Sequence, residues 1–125
     1  MRVLLADDEL RVRSALRLLL EQTAGIEVVG EAGSGEGLAY FARATCPDVA
    51  LLDWELAPEG GLPVLRALRA TRPGLVIVAL SSRPEAKQEA LAAGADAFVD
   101  KSGTPEGVLS AIELGKDRAR KRGAT

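Results

Sequence analysis

The sequence predicts an α/β fold: five strand–helix units forming one open, doubly wound parallel sheet. Three observations predict it. Short apolar runs alternate five times with longer stretches whose apolar residues recur at helical spacing. The runs at 3–6, 49–52 and 75–80 contain only Val, Leu, Ile and Ala, as strands covered on both faces require. The chain is 47% hydrophobic but only 3% aromatic, so its core is aliphatic and suits helices laid on a parallel sheet.

Each element has its own local signal. Arg2 to Ala6 is the first strand, and it runs into Asp7-Asp8-Glu9. In the helix that follows, Leu10, Ala15, Leu16, Leu18, Leu19 and Leu20 form the apolar face, opposite Arg11, Arg13, Arg17 and Glu21. Gly25 ends that segment. Ile26 to Ala32 is rich in β-formers, though its alternation is imperfect, and Gly33-Ser34-Gly35 makes the next turn. Gly37 to Thr45 is a weaker helix with Leu38, Phe41 and Ala42 as its stripe, closed by Cys46-Pro47.

The third strand, Pro47 to Asp53, lies between a Pro-Asp pair and a turn-rich stretch holding Pro58, Gly60 and Gly61. Gly61 to Thr71 is a helix carrying Leu62, Leu65 and Leu68, and Arg72-Pro73-Gly74 stops it. Leu75 to Leu80 is the most apolar strand, and Ser81-Ser82 follows. Pro84 suits the first turn of the next helix, which Gly94 ends. Ala95 to Asp100 is a short strand leading to Lys101. Thr104 caps the last helix, with Pro105 at its first position, Glu106 in its first turn, and Val108, Leu109 and Ile112 on its inner face. At this length the expected architecture is a flavodoxin-like (βα)5 sheet with strand order 2-1-3-4-5; a closed eight-stranded barrel needs about twice the residues.

Composition narrows function. The 125 residues suit one domain with a real core. A net charge of −2 offers no overall nucleic-acid footprint. The absence of His removes His-based metal sites and bases, and a single Cys forms no internal disulfide. No apolar run approaches the ~20 residues of a membrane span, and the N-terminus leads straight into a strand. The expectation is a cytoplasmic protein with no membrane association.

Polar residues at the strand ends carry the chemistry. Asp7, Asp8 and Glu9 follow the first strand, Asp53 closes the third, Ser81 and Ser82 follow the fourth, and Lys101 follows the fifth. In a parallel sheet of order 2-1-3-4-5 these ends share one edge, where such folds bind ligands. Three crowded carboxylates repel one another. A hard divalent cation relieves that repulsion, and Mg2+ favours oxygen ligands of this kind. Lys101 is a point charge suited to phosphate oxygens, the Ser81 hydroxyl can donate to the same oxygens, and Asp53 is a carboxylate able to accept a phosphoryl group.

With these residues in this order, nearly the whole chain, from Arg2 to about Leu114, resembles the receiver domain of two-component response regulators. The resemblance implies that Asp53 is the phosphoacceptor and Lys101 the family's lysine. It makes Ser81 the switch hydroxyl and Phe98 the switch aromatic. It implies Mg2+ held by Asp8, Asp53 and the backbone carbonyl of Glu55, with Asp7 acting through water. The expected function is therefore to accept a phosphoryl group from a histidine kinase or phosphotransfer protein, to remove it slowly, and to switch a partner- or dimer-binding surface formed by the fourth helix, fifth strand and fifth helix. Such a chain is a signalling switch rather than a classical enzyme.

The stretch Asp53-Trp54-Glu55-Leu56-Ala57-Pro58-Glu59-Gly60-Gly61 departs from the family, which usually reads Asp-x-x-Met-Pro; here the proline has moved one place. Ser102 stands where the family usually has proline after the lysine. Asp100-Lys101-Ser102 with Thr104-Pro105-Glu106 looks more like the branch that usually carries a C-terminal helix-turn-helix DNA-binding domain. Glu55 and Arg83, each two residues past a site residue, are expected to tune water access to the phosphorylated Asp53.

Several residues also admit simpler roles. Asp7, Asp8 and Glu9 would suit the positive end of the helix they precede, Ser81 could be a helix cap, and Phe98 is as readily core as switch. A Mg-dependent aspartyl-phosphate phosphatase or phosphotransferase acting on small molecules is the alternative function, although no insertion supplies a substrate cap. A nucleotide- or flavin-binding domain is disfavoured because no Gly-rich loop follows the first strand. The expected receiver domain spans 1–115. The tail at 116–125 holds five cations (Lys116, Arg118, Arg120, Lys121 and Arg122) against Asp117, and reads as a helix end or the start of a linker to an effector domain.

Overall fold

The computed structural model describes residues 1–123. Strands and helices alternate without interruption: β1 (Arg2–Ala6), α1 (Leu10–Glu21), β2 (Glu27–Ala32), α2 (Leu38–Thr45), β3 (Val49–Asp53), α3 (Gly61–Thr71), β4 (Val76–Ser81), α4 (Ala86–Ala93), β5 (Ala97–Asp100) and α5 (Glu106–Gly123). The five strands form one parallel sheet in the order β2-β1-β3-β4-β5.

The two-residue period of a strand sends alternate side chains to opposite faces, and the core accordingly divides in two. Leu4, Ala6, Ala50, Leu52, Ile77 and Ala79 pack beneath α2, α3 and α4 with Leu38, Leu65, Leu68 and Ala90. Val3, Leu5, Leu51, Val78 and Val99 pack beneath α1 and α5 with Leu20, Val108 and Ile112. Every residue of β3 and β4 is buried, so the central strands have no polar face. Each fully buried Leu or Ile here contributes about 1.5–3 kcal/mol.

β2 lies at the edge and has no fully buried residue. Its imperfect alternation has a structural cause: the β1–β2 register jumps between Val3↔Val28 and Leu4↔Gly30, leaving Val29 as a bulge. The Phe41 ring occupies the place where Gly30 lacks a side chain.

Most local signals hold, with small shifts. Gly94 ends α4 at φ 114°, its N–H donating to the carbonyls of Ala90 and Leu91. Pro84 lies in a turn ahead of α4, where Ala86 N–H donates to the Arg83 carbonyl and Lys87 N–H to that of Pro84. Leu10 and Leu18 of α1 face outward, 66% and 60% exposed, because α1 buries only a narrow stripe centred on Leu20. α5 continues unbroken past residue 115 to Gly123, so the basic segment begins as helix; 124–125 lie outside the described residues. No helix among the described residues is long and apolar enough to cross a membrane.

Candidate functional site

The strand register brings the polar strand ends together. Ala6 of β1 pairs with Leu52, Asp53 of β3 with Leu80, and Ser81 of β4 with Asp100. Asp7, Asp53, Ser81 and Lys101 therefore emerge in neighbouring positions on one edge. Burial on both faces holds β3 and β4 rigid, and the side chains at their ends inherit that rigidity.

Asp7 and Asp53 are buried, 1% and 2% exposed, while Asp8 is exposed. One carboxylate oxygen from each of the three lies within 4.8 Å of the other two. Lys101, also largely buried, brings its ammonium 2.7 Å from Asp7 Oδ2, 3.2 Å from Asp53 Oδ1 and 3.4 Å from Glu9 Oε1. Asp7 Oδ1 accepts the Glu9 N–H at 2.8 Å, and Asp53 Oδ1 accepts the Glu55 N–H at 3.1 Å. Asp7 Oδ2 has the Lys101 ammonium as its one close partner among the described residues.

The electrostatics follow from this crowding. Burial, then the Asp7 charge, pushes the Asp53 carboxyl up from 3.8 to about 6, against the pull of the Glu55 N–H and Lys101. Burial alone would draw the Lys101 ammonium down. The carboxylates of Asp7 and Asp53 outweigh it, and the net shift is upward. One ammonium thus serves two buried carboxylates, with a third, Asp8, beside them, so negative charge is in excess. An all-oxygen donor set with excess negative charge fits a hard cation such as Mg2+.

Ser81 is fully buried at the end of β4, and its hydroxyl faces Glu55 at 2.9 and 3.0 Å from the two carboxylate oxygens. Ser81 Oγ also accepts the Arg83 N–H at 3.0 Å. Arg83 in turn places Nη2 3.0 Å from Glu55 Oε2. Glu55, Ser81 and Arg83 are thus one network beside Asp53. Phe98, half-buried on β5, packs against the core beneath α2, α3 and α4.

The loop after Asp53 is tied down by Trp54. Its indole is 3% exposed and donates to Glu89 Oε1 of α4 at 2.7 Å. Gly61 makes room for the ring, since a Cβ there would lie 2.5 Å from Trp54 Cε3. The displaced proline of this loop follows a cis Ala57–Pro58 peptide.

Known proteins resemble this chain over most of its length. Residues 3–113 match the family model described as the response regulator receiver domain. The chain belongs to the response regulator receiver domain family. It is 37% identical over 112 residues to the response regulator UvrY of Escherichia coli, covering 88% of this chain and 51% of that protein. It is 36% identical over 115 residues to the nitrate/nitrite response regulator NarP of the same species, covering 90% and 54%. A two-component response regulator of the LuxR family from an Aurantimonas species superposes with a TM-score of 0.82 at 32% identity, over 90% of this chain and 81% of that one. The chain spans about half the length of the curated relatives it matches.

In this receiver domain, the sequence-predicted residues Asp7, Asp8, Asp53 and Lys101 form one constellation, with Ser81, Glu55 and Arg83 adjoining it. Sequence reasoning missed Glu89, the partner of Trp54. It also missed Arg13, whose Nη1 donates to the Asp7 carbonyl at 2.6 Å and whose Nε is 3.3 Å from Glu31. A buried indole needs an acceptor, and that requirement was the available signal for Glu89. No such rule points to Arg13.

Proposed function

We propose that this receiver domain accepts a phosphoryl group on Asp53 from a histidine kinase or phosphotransfer protein in a Mg-dependent reaction. The observation that carries the reading is the buried Asp53 carboxylate, held at one oxygen by the Glu55 N–H and Lys101. Its other oxygen makes no hydrogen bond or ion pair among the described residues and is the nucleophile. It attacks phosphorus, the phosphorus–nitrogen bond of the donor phosphohistidine breaks, and the imidazole nitrogen leaves with the electron pair. The product is an acyl phosphate on Asp53.

Asp8, Asp53 and the Glu55 backbone carbonyl would hold Mg2+, with Asp7 acting through water. When bound, the ion neutralises charge on the transferred group. Lys101 stands where its ammonium can meet a phosphoryl oxygen. Phosphorylation adds up to about two negative charges, which draw the Ser81 hydroxyl away from Glu55. Phe98 turns inward, and the surface of α4, β5 and α5 changes as a shift in population between two states. Glu55 and Arg83 set the access of water and hence the lifetime of the phosphorylated state.

We also assign the domain, residues 1–115, to the branch of regulators with a DNA-binding effector domain, reached through the basic segment from residue 116. The likeness to a LuxR-family regulator supports this. The α4–β5–α5 face is then the surface for homodimerisation. Incubation with acetyl phosphate tests the core of the reading. A base-labile phosphoryl group should form on the wild type with Mg2+, and be lost with chelator or in Asp53→Asn. Equal labelling of Asp53→Asn would refute it.

A further inference from the structure

The edge of the sheet opposite Asp53 carries a hollow lined by cationic and apolar residues. It is an open hollow of about 550 Å³ between the start of β3 and β4, the Arg72–Leu75 loop and the outer half of α5. Gly115 explains its shape. α5 approaches β4 so closely there that a Cβ would lie 3.0 Å from Val76 Cγ1. Beyond Gly115, Lys116 and Arg120, one turn apart on α5, line the hollow.

The charges in this region do not cancel. Arg69 and Arg122 both engage the buried Asp96, Arg69 at 2.7 Å. Arg72 has no equivalent. Its Nε is buried without a hydrogen-bond partner, and its guanidinium pairs with no acid among the described residues. That Nε is out of a ligand's reach, so Arg72, which lines the cavity, can offer only its terminal guanidinium nitrogens. Among the described residues Lys116 and Arg120 meet acids only along their own helix, Glu113 at 3.6 Å and Asp117 at 3.1 Å. The cavity's one acid, Asp48, spends a carboxylate oxygen on the Arg2 N–H at 2.8 Å. The remaining wall is apolar, from residues such as Val49 and Val76.

We propose that this cavity binds a nucleotide-class ligand, with its phosphates on Arg72, Lys116 and Arg120 and its flat body against the starts of β3 and β4. Guanidinium groups match phosphate geometry, and the volume lies within the range of about 300–1,000 Å³ for small-molecule sites. Asp48 keeps an oxygen able to accept an amino N–H of a base. No Gly-rich loop is involved, because the contacts come from side chains.

Calorimetric titration of the full chain with ADP, in chelator, tests this. Wild type should bind ADP, and both Arg72→Gln and the double variant Lys116→Gln/Arg120→Gln should weaken it about ten-fold or more, the loss of a charge-assisted hydrogen bond. Arg72→Gln removes no hydrogen bond and should keep its fold; if it does not, the exposed double variant decides. Absence of ADP binding at millimolar concentration, or affinity unchanged in both variants, would overturn the proposal. Inorganic phosphate binding as tightly as ADP would overturn the nucleotide assignment, as would a duplex oligonucleotide that ADP fails to displace. Binding lost in Asp53→Asn but kept in Arg72→Gln would place ADP in the acidic pocket and refute the site. Phosphorylation of Asp53 should be unaffected by Arg72→Gln, so this proposal and the phosphoacceptor reading fail separately.

Discussion

The Ser81 hydroxyl donates to the carboxylate of Glu55, 2.9 Å from Oε1. In this state it is not spent on Asp53, although both residues close neighbouring strands. Phosphorylation must therefore compete with Glu55 for one proton. Glu55→Ala should relieve that competition. A hydrogen bond to a charged group contributes about 1.5–3 kcal/mol, discounted here to ~1 kcal/mol because Glu55 is partly exposed. Beryllofluoride should bind Glu55→Ala about five-fold more tightly, and the phosphorylated lifetime should change. Unchanged affinity and lifetime would remove Glu55 from the mechanism.

Lys101 is the counter-charge for two buried acids. Lys101→Met should destabilise the fold by about 3 kcal/mol at neutral pH, since it leaves Asp7 and Asp53 buried together. Adding Asp7→Asn should restore part of that loss. Denaturant unfolding of the four proteins in the double-mutant cycle reads the coupling; additive effects would show that Lys101 does not serve Asp7.

The raised Asp53 carboxyl sets a pH dependence without divalent cation. Its folded value of about 6 exceeds the unfolded 3.8, so the folded state binds the extra proton between those values. The stabilisation is fully present below 3.8 and is lost as pH rises through 6. Asp53→Asn, which stays neutral, should match wild type near pH 4 and be more stable by up to about 3 kcal/mol at pH 7.5. Denaturation curves in chelator at both pH values check this, and Mg2+ should shrink the difference at pH 7.5.

Trp54 is the chain's one tryptophan, and it joins the phosphoacceptor loop to Glu89 of α4. Its fluorescence should change on addition of Mg2+ and again with acetyl phosphate. Asp53→Asn should lose the second response. Glu89→Gln should alter the starting emission, because the indole N–H then meets a neutral acceptor.

Gly61→Ala should cost about 2 kcal/mol. The new Cβ would lie 2.9 Å from the Trp54 Cα, which is backbone and cannot swing aside. A midpoint shift in thermal unfolding measures it, and an unchanged midpoint would mean that the Trp54 loop moves freely.

The alternation of five strands and five helices, the aliphatic two-sided core and the residues standing at each strand's end are legible in the order of the amino acids. Those properties are local. A run such as 75–80 reads as a buried strand wherever it lies, and Asp53 and Lys101 follow their strands whatever the register. The partnerships were decided by tertiary structure alone. Ser81 turns to Glu55 and Trp54 to Glu89 across 26 and 35 residues, and one Lys101 ammonium is shared between Asp7 and Asp53. Leu10 and Leu18 fit the helical period yet face solvent, because periodicity names a stripe but not its width. Which side chains meet depends on strand register, sheet twist and where each helix is laid, and these are set only when the whole core packs at once.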